Sequence, residues 1–177
     1  IRDSHNTALQ LVHNAVVEAR DDTLQIAGCL PPLVGSYVAE ASMDYEESFA
    51  DYCQLVSLQA PHVDVFLIET MSNITEAKAA LAAVKETAVP GYVGLTITDN
   101  GKNTLRSGET LEQAIEQLLP VGPAGLMINC SMPETISAAM GQLKDLPIPF
   151  GGYANGFTSI DALRPGGTVA SLSARSD

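Results

Sequence analysis

Apolar side chains recur at helical spacing through residues 5–20, at Ala8, Leu11, Val12, Ala15, Val16 and Ala19, and predict an amphipathic helix. A short apolar run, Leu24 to Leu30, follows and stops at Pro31-Pro32. A second helical stripe runs through Tyr45, Phe49, Tyr52, Cys53 and Val56. Val63 to Ile68 is a β-branched and aromatic run that ends in Glu69-Thr70. Asn73, with Glu76 three residues on, has the form of a helix N-cap and its box partner, and the helix behind it passes through Ala77, Leu81 and Val84. The unit then repeats. Tyr92 to Ile97 reads as a strand, and Leu111, Ala114, Ile115 and Leu118 as a helix stripe. Gly125 to Ile128 reads as a strand delivering Asn129-Cys130. Ser131 then caps a helix with Pro133 in its first turn, Glu134 as box partner, and Ile136, Ala139, Met140 and Leu143 inside. Pro147 to Phe150 starts a fifth strand, leading into a loop over residues 151–156.

Strands buried on both faces and separated by amphipathic helices predict βαβ units and a parallel sheet. The strands repeat about every 30 residues, near the ~31 expected when ~250 residues are shared among eight units of a (β/α)8 TIM barrel. About five such units are present. The chain opens on a helix and closes, from Pro165, on a polar, small-residue tail without a clear element. The expectation is a single domain over 1–177, the central portion of a parallel barrel, with its first strands and last strand outside the chain. A five-stranded open sheet is the other arrangement these elements allow.

Composition narrows the partners. Apolar residues make up 46% of the 177, enough for a core, and 21 acidic residues against nine basic ones leave a net charge of −12. Such a field repels phosphate backbones and anionic lipid, so neither nucleic acid nor membrane is expected as a partner. No apolar run approaches the ~20 residues of a membrane span, and no signal peptide is read at the N-terminus. Three widely spaced cysteines, Cys29, Cys53 and Cys130, make no disulfide framework and fit a reducing, cytoplasmic setting. Small-molecule substrates are the partners left, with homo-oligomers open.

In parallel α/β folds ligands gather at the C-terminal ends of the strands. Here those ends carry Cys29, Glu69-Thr70, Thr96 to Asp99, Asn129-Cys130-Ser131 and Tyr153-Ala154-Asn155-Gly156. Cys130 precedes a capped helix whose dipole favours a thiolate, which suggests a nucleophile or a soft-metal ligand; a small residue packed at a tight turn is the plain alternative. His5, His13 and His62 fall on helices or helix-to-strand turns, away from that rim, which argues against a Cys-His hydrolase, and His13 is expected in the core. Glu69, after its apolar run, suits an ammonium partner or a base. The glycine-rich stretch 151–156 could cradle phosphate, but it carries neither a GxGxxG nor a P-loop lysine.

Leu67-Ile68-Glu69-Thr70-Met71, Gly125 to Ser131 ending in Asn129-Cys130, and Gly152-Tyr153-Ala154-Asn155-Gly156 together resemble the homocysteine S-methyltransferases. Ala27 to Pro32, followed by Gly35-Ser36-Tyr37, looks like the same family's third strand and loop. The resemblance implies a (β/α)8 barrel that moves a methyl group onto the sulfur of L-homocysteine to give methionine. It implies that Cys130 is catalytic as one of three thiolate ligands to Zn2+, that Glu69 holds the substrate's amino group, and that Asn129 and the Tyr153-to-Gly156 loop, with Asn155, line the pocket. Zinc keeps a sulfur as thiolate yet nucleophilic, and an open fourth position would take the substrate. The family's paired cysteines and its glycine-rich first strand have no counterpart here, so two further Cys ligands are expected outside this chain. Within the family it resembles, a single short barrel without cobalamin or folate modules implies a sulfonium donor such as S-methylmethionine. Two other readings remain: a phosphate-binding barrel lyase or isomerase with Glu69 as base, and a non-catalytic barrel lacking its metal site.

Overall fold

A computed structural model describes residues 2–157 together with Leu163; the tail expected beyond Pro165 lies outside the described residues. Helix α1 (Arg2–Ala19) leads into β1 (Ala27–Leu30), and four further helix–strand pairs follow: α2 (Tyr45–Gln59) and β2 (Val65–Met71), α3 (Ile74–Lys85) and β3 (Gly91–Leu95), α4 (Leu111–Leu118) and β4 (Gly125–Asn129), α5 (Pro133–Leu143) and β5 (Phe150–Tyr153). The strands form one sheet in the order β1-β2-β3-β4-β5, with every ladder parallel. Right-handed crossovers between successive neighbours all place their helices on the same face, and α3 packs against both α2 and α4. A doubly wound sheet would show a permuted order. The arrangement is the arc of a parallel barrel.

The core lies between the strands and this helical layer. Phe66, Ile68, Val93, Leu126 and Ile128 on the helix-facing side are essentially fully buried, as are Ala77, Ala79, Ala80, Leu81, Ala83 and Val84 of α3. Small alanines around most of α3 let it sit between two helices and on the sheet at once. Each fully buried Leu, Ile or Phe contributes about 1.5–3 kcal/mol, so these central units hold the fold. Alternate residues on the other face, including Cys29, Leu67, Glu69, Tyr92 and Met127, stay partly or fully open. No helix among the described residues is long and apolar enough to cross a membrane.

Several local expectations are corrected. Asn73 does cap α3, accepting from Glu76 N at 2.8 Å, but the Glu76 carboxylate instead takes Leu33 N at 2.8 Å and Tyr52 Oη at 3.2 Å, anchoring the loop after β1. Ser131 does not cap α5. Met132 occupies the cap position without a side-chain bond, because Ser131 Oγ is drawn to Ile97, accepting from its N at 3.0 Å. β5 begins at Phe150 and not at Pro147, and Gly151-Gly152-Tyr153 are ladder residues paired with Met127, Ile128 and Asn129, so this stretch is not a phosphate-cradling loop. His13 is exposed, against the expectation of a core histidine, and meets His62 edge to face at 6.1 Å. The stripe on α1 is real in sequence, yet its Leu11 and Val12 are 64% and 41% exposed among the described residues. Cys53, on the second helical stripe, is half-buried at the edge of the core.

Candidate active site

The site starts with a fault in the ladder. Ile68 pairs with Val93, but the next partners are Met71 and Leu95, so β2 advances three residues where β3 advances two. The extra residue falls at Glu69-Thr70, and Thr70 takes a left-handed φ of 63°, rare for a β-branched residue. Bulges of this kind re-aim side chains. Here Glu69 turns onto the open face while Thr70 is buried. Cys130, one residue past β4, has a φ of 52°. Two strained turns at strand ends thus share one rim, a pattern typical of functional sites.

Hydrogen bonds join them. Asn129 is fully buried; its Oδ1 accepts from Thr70 N at 3.1 Å, and its Nδ2 donates to Thr70 Oγ1 at 3.1 Å, to Tyr153 Oη at 2.8 Å and, more weakly, to Cys130 Sγ at 3.5 Å. Thr70 Oγ1 donates to Cys130 Sγ at 3.3 Å. Tyr153 Oη donates to Glu69 Oε1 in a short hydrogen bond, and Cys29 Sγ donates to Glu69 Oε2 at 3.2 Å. Burial first, then the hydrogen bond and charge of Glu69, push the Cys29 thiol up to about 12. The same causes raise Tyr153. Both groups therefore keep their protons at neutral pH. Gly94 makes the packing feasible, since a Cβ there would lie 3.0 Å from Asn129 Oδ1.

A second layer closes over Cys130. Tyr37, buried and at φ 67° in the loop after β1, is pushed up to about 12, by burial first and then by Cys130, with Asn155 and Arg106 pulling the other way. The Arg106 guanidinium sits 5.0 Å from the centre of its ring, donates from Nε to Thr96 Oγ1 at 3.0 Å and lies 3.7 Å from Asp99. Asn155 joins through its backbone, donating to Ser131 O at 3.0 Å. The loop carrying Arg106 is itself fastened, with Ser107 N donating to Ser72 O at 3.1 Å and Ile74 N donating to Glu109 Oε2 at 2.9 Å.

Glu69, Asn129, Cys130 and Asn155, singled out from the sequence, thus come together on one rim. Cys29 also joins it, as a hydrogen-bond donor to Glu69. Sequence reading placed Tyr37 only as part of the Gly35-Ser36-Tyr37 loop, without a role, and missed Arg106, which no motif marks. Among the described residues no three His, Cys, Asp or Glu side chains gather as a metal site would need. Cys130 can offer one thiolate; Cys29 is engaged by Glu69, and Cys53 lies on α2. The described residues alone do not complete a zinc site.

Solved structures similar to this one include the homocysteine methyltransferase MmuM from Escherichia coli. Its metallated form shares 23% identity at a TM-score of 0.71, over 91% of this chain and 58% of that one. Its apo form shares 21% at 0.68, over 87% and 57%. At these identities the likeness shows the fold, a parallel TIM barrel, and the chain spans less than two thirds of those structures. No curated protein sequence matches. Residues 1–171 match the family described as homocysteine S-methyltransferase: the chain belongs to the homocysteine S-methyltransferase family.

Proposed function

We propose that this chain is the homocysteine-binding part of a single barrel domain that transfers a methyl group from a donor, a sulfonium such as S-methylmethionine, to the sulfur of L-homocysteine. The observation that carries the reading is the joining of Glu69 and Cys130, from β2 and the end of β4, in one network on the ligand-binding rim. Glu69 offers a carboxylate to the substrate's ammonium, with two neutral donors behind it and, among the described residues, no lysine or arginine on it. Asn155 borders the substrate position, and Asn129, buried beneath the rim, holds the groups around it. Cys130 would supply one of three thiolates to a zinc ion whose other two ligands come from outside this chain. In the reaction the homocysteine sulfur, having lost its proton, gives an electron pair to the methyl carbon. The carbon's bond to the donor sulfur breaks, and those electrons return to that sulfur. Aligning the two sulfurs with the methyl carbon carries much of the rate. The strongly acidic composition suits a cationic donor, and a cytoplasmic setting accompanies the reading.

Glu69→Gln tests it in the full-length protein. A charge-assisted hydrogen bond to the ammonium is worth about 1.5–3 kcal/mol, so KM for homocysteine should rise about tenfold or more while kcat at saturation changes little. An unchanged KM with kcat lowered by orders of magnitude would make Glu69 an acid or base and favour the lyase reading.

A further inference from the structure

We infer that Tyr153, held by Asn129, is a positioning residue that aims the Glu69 carboxylate at the substrate's ammonium group; the inference rests on the ammonium role proposed for Glu69.

The argument is one of hydrogen-bond polarity. A backbone N–H can only donate, so Thr70 N fixes Asn129 Oδ1 as the acceptor and turns Nδ2 toward the other side. An amide NH2 can only donate, so Tyr153 Oη must accept from Asn129 Nδ2 at 2.8 Å. The one proton of that hydroxyl is then left for Glu69 Oε1, where the structure has it. The relay therefore runs in one direction, from the β2 turn through β4 and β5 and back to β2. Asn129 is 0% exposed and has no room to swing, with Gly94 directly beneath it. Tyr153 is tied to the same strand by its ladder pairing with Asn129. Glu69, by contrast, stands on a bulge and is half-exposed, so its own backbone does not fix the carboxylate. Cys29 steadies the other oxygen, but from a longer, weaker thiol donor at 3.2 Å. The relay also begins beside Cys130, so the group reading the ammonium and the group proposed to serve the sulfur are set by one carboxamide.

The experiment measures calorimetric Kd values of the full-length, zinc-replete protein for L-homocysteine and for 4-mercaptobutyrate, the same molecule without its amino group. Wild type should bind homocysteine at least about tenfold more tightly, as a charge-assisted hydrogen bond requires. Tyr153→Phe, which removes only the hydroxyl, should shrink that ratio about tenfold and leave the 4-mercaptobutyrate Kd within about twofold. A general loosening of the site would weaken both ligands together and overturn the inference, as would an unchanged ratio in a folded variant. A wild-type ratio near one would sink the ammonium role of Glu69 itself, and this inference with it.

Discussion

Thr70 donates its hydroxyl to Cys130 Sγ at 3.3 Å across β3, and both residues hold left-handed backbone, at φ 63° and 52°. Each such conformation costs of order 1–3 kcal/mol and persists only where its surroundings impose it. The hydroxyl of Thr70, which also accepts from Asn129, is one of those surroundings. Thr70→Val keeps the shape and removes the hydroxyl, and should lower unfolding stability by about 1–3 kcal/mol. Thr70→Ser keeps the hydroxyl and should stay within about 1 kcal/mol. Urea denaturation of both variants measures this, and equal losses would deny the hydroxyl its part.

Cys130→Ser should cost the full-length protein its zinc, because a neutral hydroxyl is a poor substitute for a thiolate ligand. Metal analysis of wild type and variant decides the matter; equal zinc in both would remove Cys130 from the metal site.

Cys29 is exposed yet slow to ionise. Thiolates, not thiols, react with iodoacetamide, and this thiol is pushed up to about 12 from an ordinary 9.0. Alkylation of Cys29 at pH 8 should be slower than in the unfolded chain and keep climbing above pH 9. Glu69→Gln removes the charge, the third cause of the shift, and leaves at most a weaker neutral acceptor for the second, so it should speed the reaction, short of the unfolded rate because the desolvation of the sulfur remains. A raised folded value also means stability that is whole below pH 9 and lost as pH rises toward about 12. A rate that levels off by pH 9 would contradict the assignment.

Gly94→Ala should be costly out of proportion to one methyl group. The new Cβ would press on Asn129 Oδ1 at 3.0 Å, with Ile68 O at 3.4 Å on its other side, and overpacking of this kind costs about 1–3 kcal/mol. An unchanged denaturation midpoint would show that Asn129 has more freedom than the geometry allows.

The residues that patterning could reach were those whose meaning is local. The parallel sheet was legible because each apolar run and each stripe announces itself within a dozen residues, and Glu69 and Cys130 because they close such runs. What was missed depends on register between distant segments. Nothing near Tyr37 tells of Cys130 and Arg106, and nothing near Tyr153 places its hydroxyl on Glu69, 84 residues away. Ser131 was misread for the same reason: a good capping residue by sequence, it is claimed by Ile97 across the sheet. His13 shows the reverse failure, since a helical stripe predicts a face without saying what lies opposite it. Strain at Thr70 and Cys130 was invisible because neither residue type favours positive φ.

The strand order carries a kinetic consequence. Among the described residues every strand pairs with the one that follows it along the chain, so no ladder waits for a segment made later than its own next strand, although each must close across a whole helical crossover, which is slow. A chain emerging from the ribosome can close β1 on β2 and β2 on β3 as each appears, in the N-terminal-first manner of nascent domains. Glu69 is therefore in place early, beside Cys29 but without its other donor. The carboxylate is completed only when β5 adds Tyr153, so the binding rim is the last part of this sheet to mature during synthesis.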